Sequence, residues 1–459
     1  MRAQNLTAGA FKAPPRGRAR IVGWTVAALA AVGLVAVADR QAWFAAEPAA
    51  PAALDPQAPA PGYGPQTFAL ALVRAEENVA ARRALLAREP DDWLRMEGMA
   101  RALLQRGRLT ASARDLWEAN RLLVRGVEIA PWPAGPVLSR AGGALTVHDL
   151  AAAEEALERL DAAAVPLSPS EEAEARGIRC EIAFERGALA QARANCGEGG
   201  DLALDLRRAN QALATGDAAR AATLVEGALR QPGHTPLQLA NMMLQRAAIA
   251  LATGEWAAAG KWARAADRTF PGYWLAEAYV AQSRALAGDV AGAEAAYRRI
   301  ATRTGNPDVY GALVVLAEAR GDQGAVNDYL SKAGVGWRTR VSLLPQTYAN
   351  HYAEYQAQTG DLAGALRTAE ADYARRPFLP VITDYVFVLA RAEQWGRVVE
   401  IVRRGERNGY RSATLKLAQA EALAKLGRAD DAARMRAAAL RMNPRIEDPG
   451  QGFVHFRQD

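Results

Sequence analysis

The sequence predicts an all-α, right-handed superhelical solenoid of helix-turn-helix repeats, preceded by an N-terminal transmembrane helix. A short phrase, small-x-x-x-Gly-acidic-x-x-Ala, recurs around Gly254, Gly288, Gly321, Gly360 and Gly427, mostly every 33 or 34 residues. That period is typical of stacked helical repeats. The composition is rich in alanine, arginine and leucine, which favour helix. Near the N-terminus, a charge-free run of 18 residues is long enough to cross a bilayer.

The first predicted element is a signal anchor over Ile21–Ala38, which as a helix would span about 27 Å. Five basic residues precede it, and after it Arg40 is the only basic residue before Arg74. The positive-inside rule therefore predicts a cytoplasmic leader at residues 1–20 and a body on the far side of a bacterial inner membrane, in the periplasm. The alternative is a signal peptide cleaved after Ala38, and it places the body in the same compartment.

A proline-rich spacer separates this segment from the repeats. Six prolines stand among alanines in residues 45–66, a composition that favours an extended polyproline-II linker. The predicted organisation is a basic cytoplasmic leader (1–20), a transmembrane anchor (21–38), an Ala/Pro-rich linker (39–66), degenerate helical repeats (67–206), a regular repeat array (207–444) and a C-terminal tail (445–459).

Each repeated glycine is expected at the turn between two paired helices, where a positive φ suits glycine. In the less regular parts, Gly107, His148, Gly187 and Gln394 stand at the corresponding turn positions. Small residues before and after the glycine are expected to let the paired helices pack closely, and Pro271, Pro377 and Pro444 to end second helices. The small residues are Ala209, Ala247, Ala281, Ala353 and Ala420 before the turn, and Ala221, Ala259, Ala293, Ala365 and Ala432 after it.

This pattern resembles the tetratricopeptide repeat superfamily, in its membrane-anchored bacterial envelope type. The resemblance covers Arg207 to Pro444, where Tyr297 matches the family's aromatic position and Ala266 and Ala439 match its later alanine. It implies that the first helix of each unit lines a concave, partner-binding groove. On this chain the groove positions implied by the resemblance are Asn241, Tyr279, Gln282, Asn350, Glu354, Asp384, Tyr385 and Arg391.

The two cysteines, Cys180 and Cys196, are predicted to lie on facing helices of one hairpin. In an oxidising compartment they can form a disulfide. The alternative is two buried thiols that act as small apolar residues.

The charge pattern argues against nucleic-acid binding. The net charge is +6, but five basic residues precede the first acidic one, so the rest of the chain is nearly neutral. No catalytic, phosphate-binding or metal-binding motif is present, and the histidines are scattered, so no enzyme activity, metal or cofactor is expected. The four histidines are His148, His234, His351 and His455.

The function that the sequence predicts is a non-catalytic periplasmic scaffold that binds envelope proteins in its groove, in envelope or polysaccharide assembly or export. The alternative is a carbohydrate-binding array that guides a polysaccharide along exposed rings such as Tyr279, Tyr352, Tyr355 and Tyr385. The tail segment Phe453–Phe456 is expected either to dock on the last repeat or to be free for a partner.

Overall fold

The computed structural model of the protein describes residues 61–162, 166–198 and 201–457. In that part of the chain, 21 α-helices and one short 3-10 helix are present and no β-strand, so the all-α prediction is confirmed. The predicted leader, the anchor and the linker as far as residue 60 lie outside the described residues. Within those residues, no helix combines the length and the hydrophobicity that a bilayer span requires.

A single helix, α1 (Phe68–Arg88), precedes ten hairpins in the described residues, each made of two consecutive packed helices. Thr67 begins α1, and its hydroxyl accepts a hydrogen bond from the N–H of Leu70 at 3.2 Å. The hairpins are α2 (Trp93–Thr110) with α3 (Ala113–Ile129), α4 (Val137–Thr146) with α5 (Leu150–Asp161), α6 (Pro169–Glu185) with α7 (Leu189–Cys196), α8 (Leu202–Ala214) with α9 (Ala218–Leu229), α10 (Pro236–Ala252) with α11 (Trp256–Thr269), α12 (Trp274–Leu286) with α13 (Val290–Thr304), α14 (Pro307–Ala319) with α15 (Gln323–Leu343), α16 (Ala349–Gln358) with α17 (Leu362–Arg375), α18 (Leu379–Arg391) with α19 (Trp395–Arg407), and α20 (Ala413–Lys425) with α21 (Ala429–Met442).

Most hairpin turns carry a glycine in the left-handed backbone region, as the repeat pattern predicts. These are Gly187, Gly216, Gly254, Gly288, Gly321, Gly360 and Gly427. The ten alanines predicted at the helix contacts are all buried, which explains why only small side chains stand there.

Two predicted turn positions are wrong by a few residues. Gly107 lies inside α2, where Leu116 packs against its backbone, and the left-handed residue of that turn is Ala111 with φ 57°. In the hairpin of α18 and α19, the left-handed residue is Glu393 with φ 54°, and Gln394 instead begins α19. Glycine is therefore favoured but not required at these turns.

The second half of the array packs onto the first half. Carbonyl groups at the end of a helix have no partner within that helix, and at four hairpin turns of the first half these carbonyls accept hydrogen bonds from the second half. The bonds run from the Arg340 guanidinium to Ala111 O (3.5 Å), from the Thr347 hydroxyl to Val147 O (2.9 Å), from the Tyr410 hydroxyl to Phe184 O (3.4 Å) and from the Arg411 N–H to Ala214 O (2.9 Å).

A buried ion network reinforces this contact between the halves. Arg376, fully buried after α17, donates to Asp372 at 2.8 Å and lies 3.7 Å from a carboxylate oxygen of Glu185 at the end of α6. The other Glu185 contact is His148 Nδ1 at 2.9 Å. Because buried charges are stable only when paired, this network ties together hairpins that are distant in the sequence.

The N-terminal end of the described array is held in the same way. The N–H of Gly62 donates to His234 O at 2.8 Å, and the N–H of Phe68 donates to Pro271 O at 3.0 Å. The ring of Phe68 also packs on Phe270 at 6.5 Å. The array thus winds back on itself, and its inner face forms a cavity that opens to solvent.

Candidate partner-binding cavity

The cavity has a volume of about 420 Å³ and is lined mainly by the first helices of the hairpins, from α8 to α20. This is the face that the repeat resemblance assigns to partner binding. Its walls mix apolar and polar groups and include Ala248, Trp274, Asp308, Glu354, Thr383 and Thr414.

The chain's own tail crosses this inner face. After α21, residues 445–457, here called the tail, run through the 3-10 helix Pro449–Phe453 and contact α12 and α14. Arg445 covers the ring of Trp256 at 4.7 Å, and Val454 and Phe456 join the core of the central hairpins. The start of the tail docks on the last repeat, as one sequence-based alternative proposed, because Ile446 packs with Ala413 and Ala439. The end of the tail continues to the central hairpins, which neither alternative included.

The side chain of Gln282 in α12 bonds to the backbone of the tail. Its Oε1 accepts hydrogen bonds from the N–H groups of His455 (2.7 Å) and Phe456 (2.6 Å), and its Nε2 donates to Phe456 O at 2.9 Å. Gln282 is 1% exposed, so these bonds form away from water. Through these bonds the carboxamide both accepts from and donates to the backbone of Phe456, whatever its side chain.

The side chain of Phe456 fills an aromatic pocket. Its ring lies 6.2 Å from the ring of Tyr279 and 5.9 Å from that of Tyr297, and it is 6% exposed. Burial raises the pKa of the Tyr297 phenol, so this pocket is apolar. Aromatic side chains in such pockets supply much of the binding energy at protein interfaces.

His455 lies beside Asp308 at the start of α14. Its Nε2 is 2.8 Å from Asp308 O, and burial lowers the pKa of the imidazole to about 4, against the opposing effect of the Asp308 carboxylate. Burial alone would raise the pKa of Asp308, but the Arg340 guanidinium 3.1 Å away lowers it below its usual value. The tail histidine is therefore neutral when it is docked at neutral pH.

The last described tail residue, Arg457, meets a buried acid. One of its guanidinium nitrogens lies 3.5 Å from Asp384 Oδ1, and Asn350 donates to Asp384 Oδ2 at 3.0 Å. Asp384 and Asn350 are 5% and 6% exposed. The inner face thus offers a carboxylate to a basic side chain that follows the aromatic one.

The structure brings five of the eight predicted groove residues together. Tyr279, Gln282, Glu354 and Asp384 contact the tail or line the cavity, and Asn350 supports Asp384.

The other three predicted groove residues lie elsewhere. Asn241 is exposed two turns before the cavity-lining Ala248 in α10, and Arg391 is half-buried at the end of α18. Tyr385 packs on Tyr373 at 5.2 Å, between α17 and α19, because one helical step turns it away from its neighbour Asp384.

Sequence reasoning missed Tyr297, Asp308 and Trp274 as site residues. Tyr297 was assigned only to the family's aromatic position, and Asp308 and Trp274 lay outside the groove positions that the resemblance implies. Trp274 is 8% exposed, yet it lines the cavity, and its indole N–H is buried with no hydrogen-bond partner among the described residues.

Cys180 and Cys196 form a disulfide in the structure, between α6 and α7, with their Cα atoms 5.1 Å apart. Both are buried, and Gln211 Nε2 lies 3.1 Å from Cys180 Sγ. The bridge lies in a part of the array that does not line the cavity, so its role there is structural.

The described residues hold no group of three or more metal-ligating side chains. Three of the histidines have local structural contacts: His148 with Glu185, His234 with Ala228 O at 3.0 Å, and His351 stacked on Trp337 at 5.5 Å. What the site offers is hydrogen-bond donors, acceptors, charges and an aromatic pocket, the chemistry of binding.

No protein-family model matches the chain, and no curated protein matches it significantly. The similar solved structures include tetratricopeptide repeat proteins. Yeast Tom70 is 13% identical over 83% of this chain and 91% of its own, with a TM-score of 0.32. A tetratricopeptide repeat protein from Parabacteroides merdae is 12% identical over 55% of this chain and 98% of its own, with a TM-score of 0.32.

A Rap protein complexed with Competence and Sporulation Factor is 9% identical, over 68% of this chain and 98% of its own, with a TM-score of 0.39. Because the identities and TM-scores are this low, these likenesses carry no conclusion about the chain's family or partners.

Proposed function

We propose that this protein is a non-catalytic scaffold that binds a protein partner through the inner face of its repeat array. Its setting in this proposal is the bacterial inner membrane, with the repeats in the periplasm and a role in envelope or polysaccharide assembly or export. The partners are envelope proteins, and neither nucleic acid nor a cofactor is involved.

One observation carries the binding role: the inner face already holds an extended peptide, the chain's own tail. Gln282 bonds to the backbone of that peptide, Tyr279 and Tyr297 enclose its aromatic ring, and Asp384 meets its basic side chain. Main-chain hydrogen bonds combined with a side-chain pocket are a recurring mode of peptide recognition.

Two features support the envelope setting. The charge-free run Ile21–Ala38 follows five basic residues, the pattern of a signal anchor with its N-terminus in the cytoplasm. The disulfide between Cys180 and Cys196 suits an oxidising compartment such as the periplasm.

The carbohydrate-binding alternative has weaker support. It needs a row of exposed rings, but Tyr279 and Tyr385 are 4% and 1% exposed. Tyr352 and Tyr355 are half-buried and stack on each other at 6.0 Å. Tyr355 alone of the four lines the cavity, so the inner face lacks a continuous aromatic track.

Two matched threonines test the binding role. Thr383 lines the cavity and Thr223 is exposed on α9, and each hydroxyl bonds to the carbonyl one turn earlier in its own helix. We expect Thr383→Arg to fill the cavity and to abolish the crosslinking of partner proteins to the full chain in cells, as read by pull-down and mass spectrometry. Thr223→Arg should leave the same proteins crosslinked, and loss of partners in both variants or in neither would contradict the proposal.

The membrane setting has its own test. A reporter that is active only outside the cytoplasm, fused after Asp459, should be active. Activity of a cytoplasmic reporter alone at that position would contradict the periplasmic placement. Loss of residues 1–38 from the mature protein would contradict the anchor and leave a soluble periplasmic form.

A further inference from the structure

We propose that the inner face is a subsite for an extended partner segment with an aromatic residue followed by a basic one, and that Val454–Arg457 occupies this subsite as an intramolecular competitor. This inference rests on the proposed scaffold function, and it adds the chemistry of the partner and the means by which its access is controlled.

The backbone contacts of the subsite do not depend on the identity of the tail. Gln282 makes three hydrogen bonds, all of them to backbone groups of His455 and Phe456. A different chain in the same extended conformation would present the same N–H and C=O groups to Gln282. The contact therefore selects conformation, and the neighbouring pockets select side chains.

Those pockets define the partner's two anchor residues. The first is the space between Tyr279 and Tyr297, which takes an aromatic ring. The second is the buried carboxylate of Asp384, which lies opposite the guanidinium of Arg457. Glu354 lines the same cavity, so removal of the tail exposes a surface that favours a basic side chain.

The tail leaves part of the inner face unused. A cavity of about 420 Å³ stays beside it, and the buried indole N–H of Trp274 in the cavity wall has no partner among the described residues. A longer partner segment can fill this space, which the tail leaves open. These additional contacts let a partner compete with a tethered tail, whose effective concentration is on the order of millimolar.

The test uses the full chain in detergent and a fluorescein-labelled peptide with the sequence of residues 452–459. We expect wild-type protein to bind this peptide weakly, because the native tail already occupies the subsite. Phe456→Ala in the protein removes the anchor of the native tail and should strengthen peptide binding at least about tenfold, as burial of one aromatic side chain implies. Leu426→Ala, at an exposed surface position, is the control and should bind as wild type does.

Two further measurements define the specificity of the subsite. In the Phe456→Ala protein, a peptide with alanine at the position of Phe456, or with glutamate at the position of Arg457, should bind at least about tenfold more weakly. Adding Gln282→Ala to the Phe456→Ala protein should abolish binding of the original peptide. Circular dichroism of every variant keeps a folding defect separate from a loss of binding.

Equal peptide affinities for wild-type and Phe456→Ala protein, with both folded, would overturn the competitor role. Tail exchange into stable dimers, detected by light scattering of wild-type protein, would identify a second copy as the occupant and would also overturn the proposal. If either occurs while Thr383→Arg still abolishes partner crosslinking, the scaffold function stands and only this inference fails.

Discussion

At the scale of single residues, Gln282 connects the fold to the function. It was among the predicted groove residues because of its place in the repeat, and that place puts it on the inner face. Its partners, the backbone groups of residues 455 and 456, lie more than 170 positions away in the sequence. No local pattern predicts such a contact, so the sequence indicates the binding face but not what binds there.

Gln282→Ala should loosen the tail without unfolding the array. Because three hydrogen bonds are lost, we expect amide hydrogen exchange of residues 449–457 to accelerate at least about tenfold. Hydrogen exchange with mass spectrometry measures this directly. Gln245→Ala is a matched control, since Gln245 is also buried but bonds to Leu206 O at 3.1 Å in α8. Equal exchange of the tail in both variants would contradict the role of Gln282.

Tail docking should weaken as the pH falls. Burial lowers the pKa of His455 from 6.5 to about 4, so docking is fully favoured above pH 6.5 and is lost progressively as the pH falls towards 4. The charges facing the imidazole are Asp308 on α14, His351 on α16 and Arg457 in the tail. Linkage gives about 20-fold weaker docking at pH 5 than at pH 7.

The measurement is hydrogen exchange of residues 449–457 at pH 7 and pH 5, corrected for the intrinsic effect of pH. His455→Asn keeps a polar side chain without a titrating imidazole, and its tail protection should be the same at both pH values. Unchanged protection in the wild-type protein would contradict the assignment of a neutral His455 in the docked tail.

At the scale of the elements, the hairpins were predictable because their signals are local. A glycine at each regular turn, alanines on both sides of it and a proline after the second helix all act within one repeat. The predicted turn was wrong where a glycine close to a turn can instead lie inside a helix. Gly107 packs inside α2, and Ala111 adopts the left-handed backbone conformation of that turn. Tyr385, predicted in the groove, lies away from the inner face, because one residue along α18 rotates its side chain away from the direction of Asp384.

The hairpin of α6 and α7 should depend on its disulfide. The sulfur atoms join residues 16 positions apart, and closing a loop of that size is worth about 3 kcal/mol in the chain-entropy model. We expect Cys180→Ala with Cys196→Ala to lower the free energy of unfolding by roughly this amount, measured by urea denaturation. Reductant should destabilise the wild-type protein similarly and leave the double variant unaffected, and an equal response of both proteins would argue against the bridge.

At the scale of the whole molecule, the winding of the second half onto the first half was not predictable from the repeats. Three of the donors that complete the contact lie in loops between repeats, and Arg340 lies in the last turn of α15, and the repeat pattern sets no residue type at these positions. The three loop donors are Thr347, Tyr410 and Arg411. Their acceptors are ordinary helix-end carbonyls. This winding turns the groove into a partly covered cavity, and the candidate site depends on it.

Arg376→Ala should destabilise the array strongly. It leaves Asp372 and Glu185 as buried carboxylates without their shared cation, at a cost of about 3–5 kcal/mol. Arg404→Ala is the matched control, because Arg404 also pairs with an acid one helical turn away, at 3.0 Å from Glu400, but on the exposed surface. We expect Arg404→Ala to lower the free energy of unfolding by less than about 1 kcal/mol. Urea denaturation compares the two, and similar costs would contradict the buried tie between the halves.

The measurement that tests the central claim most directly is site-specific photo-crosslinking in living cells. A photoreactive amino acid replaces Glu354, which lines the cavity, or Glu400, which is exposed on α19. If the inner face binds a partner, Glu354 should yield discrete crosslinked proteins, and their amount should rise when Phe456→Ala loosens the tail. Crosslinked proteins from Glu400 with none from Glu354 would show that partners bind the outer surface and would contradict the account.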